Sequence, residues 1–231
     1  MLFRSRKSAK ICENLRLNLR KSARTYTKTM YIPKSYRYYK LANLAEIVGL
    51  ANEEVENLLG DIAEIPPSDL IKAILQRNLR VPMKNEKAKS ELIVMPVLVE
   101  MYYINQRFKP LSGLSFNIDG AKGLKGVCDF LISAKAHSTD LESPVVCVYE
   151  AKNDSIEDWY GQCGAEMYAA RLFNVQKGND IHIIHGAVTN GFTWQFLKLE
   201  GQTLYIDSQR YGLANLPQLL GAIQKVYNFY K

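Results

Sequence analysis

The chain has 231 residues, of which 47% are hydrophobic, and this length suits one globular domain with an extension or with a second small domain. The formal net charge is +7, and no apolar run reaches the length of a membrane-spanning helix, which argues against an integral membrane protein. The four cysteines show no Cys-x-x-Cys spacing, which argues against a zinc site and favours buried thiols in a reducing compartment.

The positive charge is concentrated in residues 1–40, which hold twelve of the 30 Lys and Arg residues and one acid, Glu13. One interpretation is an arm that follows nucleic-acid phosphates and stacks tyrosines on bases. The tyrosines available for stacking are Tyr26, Tyr31, Tyr36, Tyr38 and Tyr39. The other interpretation is a solvated, partly disordered extension. Because no apolar signal core is present, we predict a cytoplasmic protein, with an organelle-targeting peptide as the alternative.

Residues 41–84 are predicted to form a small helical region. The first part, Leu41 to Leu59, is typical of two helices joined at Gly49, with Asn52 as the cap of the second helix. This order resembles a helix-turn-helix, but acids occupy the face that would read DNA, and they would repel phosphate. Those acids are Glu53, Glu54 and Glu56. We therefore interpret the acidic helix pair as structural, or as a docking surface for a protein partner.

A further helix is predicted from Asp69 to Asn78, with Ser68 as its N-cap. A basic loop follows it and ends at Lys84. We place a domain boundary there, and we assign residues 85–231 to an α/β domain.

The α/β domain is predicted to open with a helix from Glu86 to about Tyr103, because the apolar residues recur at helical spacing. Following the apolar stripe towards its N-terminal end reaches Glu86, so this carboxylate is predicted to point at the sheet. Glu91 lies on a neighbouring stripe and is the second choice. A carboxylate that only stabilises the helix N-terminus explains either acid equally well.

Two apolar strands contain charged residues, which are unusual in buried strands. Asp129 is the only charge in residues 127–132, and the next apolar strand ends in Glu150-Ala-Lys152. The turn dipeptide Asp119-Gly120 predicts that residues 114–118 and 126–133 pair as antiparallel neighbours, with residues 144–152 as the next strand. Because side chains alternate along a strand, Glu150 and Lys152 share one face. Two carboxylates beside a lysine make an oxygen-rich site of the kind that Mg²⁺ prefers.

The last third of the chain is predicted to complete the sheet and to cover it. A helix from about Ile156 to Phe173 places Gln162 and Glu166 one turn apart on one face. Three strands in a meander follow, at residues 181–189, 193–199 and 202–208. A closing helix is predicted from Leu216 to about Phe229, capped by Asn215.

These motifs together resemble the PD-(D/E)XK nuclease superfamily. The resemblance consists of Gly126-x-x-Asp129, Glu150-x-Lys152 and the helix that supplies Gln162, and it covers roughly residues 85–231. The opening helix at Glu86 is similar to the first helix of restriction-endonuclease-like domains of bacteria. The implied fold is an α/β fold with a mixed sheet: an αβββαβ core, a β-meander extension and a closing helix, preceded by a small helical N-terminal region.

The resemblance also implies an activity, the Mg²⁺-dependent hydrolysis of DNA phosphodiester bonds, with Mn²⁺ as a substitute. The implied metal ligands are Asp129, Glu150, the backbone carbonyl of Ala151, and Glu86. The metal would polarise the scissile phosphate and lower the pKa of a water molecule. Lys152 would position that water or neutralise the charge on the phosphorane, and Gln162 would hydrogen-bond to water or substrate.

Three alternatives stay open at this point. A buried salt bridge of Lys152 with Asp129 and Glu150 would close the sheet without catalysis, although it leaves one carboxylate uncompensated. The same fold also suits a DNA- or protein-binding module that does not cleave. The third alternative is a subunit of a restriction or repair complex that docks through the acidic helix pair.

Overall fold

The computed structural model describes residues 32–135, 137–152 and 155–230. Within them, the strands are β1 (Ala51–Val55), β2 (Lys109–Ser115), β3 (Val127–Ser133), β4 (Val145–Ala151), β5 (Ile184–Thr189), β6 (Thr193–Glu200) and β7 (Thr203–Gly212). They form one seven-stranded sheet in the order β1-β7-β6-β5-β4-β3-β2. Two neighbouring pairs are parallel, β1 with β7 and β4 with β5, and the others are antiparallel.

Helices cover both faces of this sheet. They are α1 (Leu41–Val48), α2 (Asp69–Asn78), α3 (Glu86–Lys89), α4 (Met95–Asn105), α5 (Tyr160–Gln176) and α6 (Leu216–Asn228). The helices α1 and α5 pack on one face, and α4 and α6 pack on the other. The α/β fold class predicted from the sequence is therefore confirmed. Across the described residues, every helix is too short or too polar to cross a lipid bilayer.

The central strand β4 explains why the sequence around it is apolar without alternation. All seven of its residues are buried. Val148 faces the core on the α5 side, and Tyr149 faces the core on the opposite side. Parallel and central strands that are covered on both faces have this composition. Because β4 is packed on both faces, the side chains at its carboxyl end are held in fixed positions.

The prediction of a second helix after Gly49 is wrong. Gly49 adopts a left-handed conformation (φ 73°) that ends α1, and Leu50 then inserts into the core with no exposed surface. Ala51 donates its N–H to the carbonyl of Gln202, 2.9 Å away, and the chain continues as edge strand β1 along β7. Pairing with the sheet overrides the helix propensity of this glutamate-rich segment. The acidic helix pair therefore does not form, and the partner surface predicted on it loses its basis.

The segment just before α1, residues 32–40, is packed on the domain, so the interpretation of a disordered extension is wrong for these residues. Tyr36 and Tyr39 are buried to 1% and 0% exposure, so neither is available to stack on bases. Tyr38 remains half-exposed. The other two tyrosines proposed for stacking, Tyr26 and Tyr31, lie outside the described residues.

Other helix predictions are confirmed with their caps. The helix α2 runs from Asp69 to Asn78, and the Ser68 hydroxyl accepts a hydrogen bond from the Ile71 N–H at 3.2 Å. The helix α6 follows Asn215, whose side chain accepts from the Gln218 N–H at 3.5 Å.

The predicted helix from Glu86 is interrupted by a π-helical segment, Ser90–Val94, between α3 and α4. Pro96 lies two residues after it and has no N–H to donate to the carbonyl four residues earlier, that of Leu92. The side chain of Asn78 on α2 fills this gap, because its Nδ2 donates to the Leu92 carbonyl at 2.8 Å. This bond ties α2 to the helix that carries Glu86.

Replacing Asn78 by Ala should therefore lower the free energy of unfolding by about 1–3 kcal/mol, since the Leu92 carbonyl loses its donor. Urea denaturation monitored by circular dichroism measures this change. Gln76→Ala, at an exposed position of the same helix, is the matched control and should change stability by less than about 0.5 kcal/mol. Equal stability of the two variants would show that this bond does not stabilise the fold.

Candidate active site

The side chains predicted to form the site meet at the carboxyl end of β4. Asp129 comes from the neighbouring strand β3, whose amino end lies at the same place because the two strands are antiparallel. Gln162 comes from the first turn of α5, and Glu86 comes from the first turn of α3. The two faces of the sheet each contribute one of these helical residues. The site is thus assembled from four elements around the end of one buried strand.

These residues line an open pocket of about 420 Å³. The pocket wall contains Ser35, Tyr36, Arg37, Glu86, Gly126, Val127, Asp129, Glu150, Lys152, Trp159 and Gln162. A pocket of this size admits a phosphodiester group and several water molecules. The largely buried Glu150 and Lys152 therefore border a space that a ligand can enter.

Lys152 lies at the centre of the site. Its Nζ lies 2.5 Å from Oε1 of Glu150 and 3.6 Å from Oε1 of Glu86. Its backbone N–H donates to the Thr189 carbonyl of β5 at 2.7 Å, which fixes the residue just beyond the end of the strand. Asp129 is fixed separately, because its Oδ2 accepts the Ala151 N–H at 2.9 Å. The two carboxylates and the lysine are thus held by the backbone of the sheet.

Gln162 connects the site to a deeper carboxylate. Its Nε2 donates to Oε1 of Glu150 at 2.5 Å and to Oε1 of Glu166 at 3.0 Å. Glu166 has no exposed surface, and it lies one turn further along α5. Three buried oxygens in this group, Glu150 Oε2, Gln162 Oε1 and Glu166 Oε2, have no hydrogen-bond partner among the described residues. The site therefore contains more acceptors than its donors satisfy.

Burial and mutual repulsion shift the titration of the carboxylates. Burial raises the pKa of Asp129, and burial together with Glu166 and Asp129 raises the pKa of Glu150 well above its usual range. Burial also raises the pKa of Glu166, to about 8. Burial alone would lower the pKa of Lys152, but the charge and hydrogen bond of Glu150 together with the charges of Asp129 and Glu86 outweigh it, and the pKa is raised. Lys152 accordingly stays protonated in a strongly acidic site.

The second-choice acid, Glu91, is placed elsewhere. Its side chain is 64% exposed and lies 3.8 Å from Nζ of Lys87 on the helix surface. It lines a neighbouring pocket, which also reaches Glu86 and Asp129, but not the pocket around Lys152. Ala151 contributes through its N–H, and the role of its carbonyl as a metal ligand stays a prediction.

The donor set fits Mg²⁺ in part. Among the described residues, no three His, Cys, Asp or Glu side chains come together as a complete set of metal ligands. Mg²⁺ does not require such a set, since it keeps several waters and binds through one or two carboxylates and substrate phosphate. Asp129 and Glu150 supply two carboxylates, and the unpartnered Oε2 of Glu150 is available as a ligand. A divalent cation would also offset the excess of acid over Lys152.

Sequence reasoning missed two parts of the pocket wall. One part is Trp159, since Nζ of Lys152 lies 4.4 Å from its ring centroid. Such a contact stabilises an ammonium group and restricts its orientation. The other part is Ser35 to Arg37, from the segment before α1. The signal for it was the spacing of Pro33, Tyr36 and Tyr39, three apolar or aromatic residues three positions apart.

Comparison with known proteins gives little beyond this geometry. No protein-family model matches the chain, and no curated protein matches it. One matching solved structure is titled "The fragment structure of a putative HsdR subunit of a type I restriction enzyme from Vibrio vulnificus YJ016", with 18% sequence identity and a TM-score of 0.31. The match covers 62% of this chain and only 25% of that one. A TM-score this low does not show a common fold, so membership of the nuclease superfamily stays a hypothesis that depends on the motif.

Proposed function

We propose that the protein is a metal-dependent nuclease that hydrolyses DNA phosphodiester bonds at the site formed by Asp129, Glu150 and Lys152. The observation that supports this proposal most is the meeting of two carboxylates and a protonated lysine in an open pocket at the end of two adjacent strands. Hydrolysis of a phosphodiester is accelerated by a cation near the scissile phosphate and by a positioned donor for the negative charge that develops on it. The site supplies a candidate for each.

Each side chain has a role that follows from its position. Mg²⁺ held by Asp129 and Glu150 would polarise the phosphate and favour deprotonation of the attacking water. Lys152 stabilises the growing negative charge as an ammonium group; its raised pKa argues against a role as general base. Gln162 orients the Glu150 carboxylate through its amide. Glu86, 41% exposed at the pocket edge, adds a carboxylate for a ligand or a water molecule.

The rival function is a DNA- or protein-binding module that uses the same fold without cleavage. A purely structural salt bridge is a weaker explanation, because Lys152 pairs with both Glu150 and Glu86, and buried oxygens of Glu150 and Glu166 have no hydrogen-bond partner among the described residues. Binding of a divalent cation at Asp129 distinguishes the two functions, because the ion should stabilise the folded protein only if the site is metal-dependent.

Thermal unfolding in Mn²⁺ and in EDTA tests this distinction. At a free Mn²⁺ concentration of about 100 times the dissociation constant, binding adds about 2.7 kcal/mol, which raises Tm by roughly 5–10 °C for a chain of this size. Asp129→Asn should lose most of this increase, whereas Asp61→Asn, an exposed acid outside the pocket, should keep it. A wild-type Tm that is the same in Mn²⁺ and EDTA would contradict the proposed function and favour the binding module.

A further inference from the structure

The segment before α1 has a three-residue pattern of burial. Residues 32–40 are called here the N-terminal strap. Pro33, Tyr36 and Tyr39 are buried, whereas Lys34, Arg37 and Lys40, each one position later, are exposed. The strap therefore presents three cations on the side opposite to its anchors.

The strap is fixed closely to the domain. The Tyr36 N–H donates to the Lys125 carbonyl at 3.1 Å, and the Tyr39 hydroxyl donates to the Lys122 carbonyl at 2.5 Å. Two glycines make its close approach possible. A Cβ at Gly123 would lie 1.8 Å from the Pro33 carbonyl oxygen, and one at Gly161 would lie 2.4 Å from Cα of Lys40. Since Gly161 precedes Gln162, the strap is held directly against the helix turn that supplies a site residue.

Two of the three cations, Arg37 and Lys40, lie beside the site. Arg37 lines the 420 Å³ pocket. Nζ of Lys40 lies 5.1 Å from the ring centroid of Trp159, the residue that also contacts Lys152. Within the described part of the chain, no carboxylate forms an ion pair with any of the three.

The distribution of charge around the site indicates which class of ligand the strap can bind. The carboxylates of Glu86, Asp129 and Glu150 would repel the phosphates on either side of a scissile bond, and one bound cation acts mainly on the scissile phosphate itself. A row of cations that form no ion pair with a carboxylate of residues 32–135, 137–152 or 155–230 supplies the compensating charge next to that site. Lys and Arg that contact backbone phosphates position a nucleic-acid strand without reading its sequence.

We infer that the N-terminal strap is a phosphate-binding wall of the active site, in which Lys34, Arg37 and Lys40 hold the backbone phosphates that flank the scissile bond. This inference rests on the proposed nuclease function and defines its substrate as a polymeric nucleic-acid strand, recognised by its backbone. The strap also explains why a basic N-terminal segment belongs to the same chain as an otherwise acidic domain.

The test compares two triple variants with equal loss of charge. The strap variant is K34Q/R37Q/K40Q, and the control is K177Q/R80Q/K225Q, three exposed cations that do not line the pocket. Binding of a fluorescein-labelled 30-nucleotide single strand and its duplex is followed by fluorescence anisotropy in EDTA over a range of NaCl concentrations. The strap variant should reduce the salt slope of log K by about 2–3 and weaken binding at 0.1 M salt about 100-fold or more. The control should change the slope by less than 1.

Several outcomes would overturn the inference. If the strap variant had the same salt slope and affinity as the wild type, the strap would not contact DNA. The same conclusion would follow if the wild type bound neither the single strand nor the duplex. Binding of poly-L-glutamate that depends on the same three cations to the same degree would assign the strap to an acidic protein instead.

Hydrolysis of bis(p-nitrophenyl) phosphate by the wild type in Mn²⁺ reports on the site alone, because this substrate has no flanking phosphates. Strap-dependent DNA binding without any hydrolysis would keep the phosphate-binding wall and reject the nuclease.

Discussion

Replacing Lys152 by Met is expected to lower the rate of DNA cleavage in Mg²⁺ by a factor of about 10²–10³ or more, because the charge that develops on the phosphate loses its ammonium partner. Met retains much of the aliphatic length of lysine, so the contact with Trp159 and the packing beneath it are largely kept. The measurement is the initial rate of cleavage of a labelled DNA substrate at saturating metal.

The chain offers a closely matched control in Lys109. Both lysines are 6% exposed, but Lys109 lies at the start of β2 and donates to the backbone carbonyls of Ser138 and Asp140, outside the site pocket. Lys109→Met should alter stability and leave the cleavage rate within about threefold of the wild type. Equal losses of activity in the two variants, at equal folded fraction, would contradict a catalytic role for Lys152.

Replacing Glu166 by Gln is expected to stabilise the metal-free protein at pH 8 and to have a much smaller effect at pH 5. Burial raises the pKa of Glu166 from 4.5 to about 8, so the folded state holds a proton that the unfolded chain has lost. The stability that this group contributes is complete below about pH 4.5 and falls as the pH rises towards 8. Gln keeps the shape and the hydrogen-bonding capacity without the charge, so the variant should exceed the wild type at pH 8 by about 1–3 kcal/mol.

Urea denaturation at pH 5 and pH 8 in EDTA measures this difference. Glu157→Gln is the control, since Glu157 is half-exposed and pairs with Arg210 at the surface, where a carboxylate is worth little. If Glu166→Gln were less stable than the wild type at pH 8, the buried carboxylate would have to be satisfied in its charged form, and the acid excess argued for the site would be wrong.

The positions of the central charged residues were predictable because they break a strong local pattern. Asp129 and Glu150 stand in strands that are otherwise apolar, and Lys152 follows at the alternation that places it beside Glu150. Burying a charge without a partner is costly, so such residues in one sheet are expected to meet. In the structure Lys152 pairs with Glu150 and Glu86, Gln162 donates to Glu150, and Asp129 accepts the N–H of the intervening Ala151.

One prediction failed because distant pairing decides the local structure, and another because a π-helical segment interrupts a helix. Residues 51–55 have the composition of a helix, and only their partner strand β7, about 150 residues away in sequence, makes them a strand. The choice between Glu86 and Glu91 depended on similar helical stripes, and the π-helical segment between α3 and α4 changes the phase of the helix. Neither effect is visible in the residues themselves.

The strap shows a third kind of limit. Its charges suggested an arm for nucleic acid, and its tyrosines suggested base stacking, yet Tyr36 and Tyr39 are anchors in the core. An aromatic residue at a period of three is compatible with both roles when the surface that receives it is unknown. Composition therefore predicted an arm for nucleic acid, whereas packing determined which residues of the strap stay exposed.

Cleavage of supercoiled plasmid and of single-stranded DNA by the wild type and Asp129→Asn, in Mg²⁺, Mn²⁺ and EDTA, tests the central claim most directly. Asp129→Asn is suitable because it preserves the size of the side chain that accepts the Ala151 N–H. We predict metal-dependent nicking or degradation by the wild type, none in EDTA, and a loss of at least about 10²-fold in the variant. Cleavage that persists in EDTA or in Asp129→Asn, or no cleavage by a folded wild type with bound metal on either substrate, would contradict the assignment of a nuclease site to the end of β4.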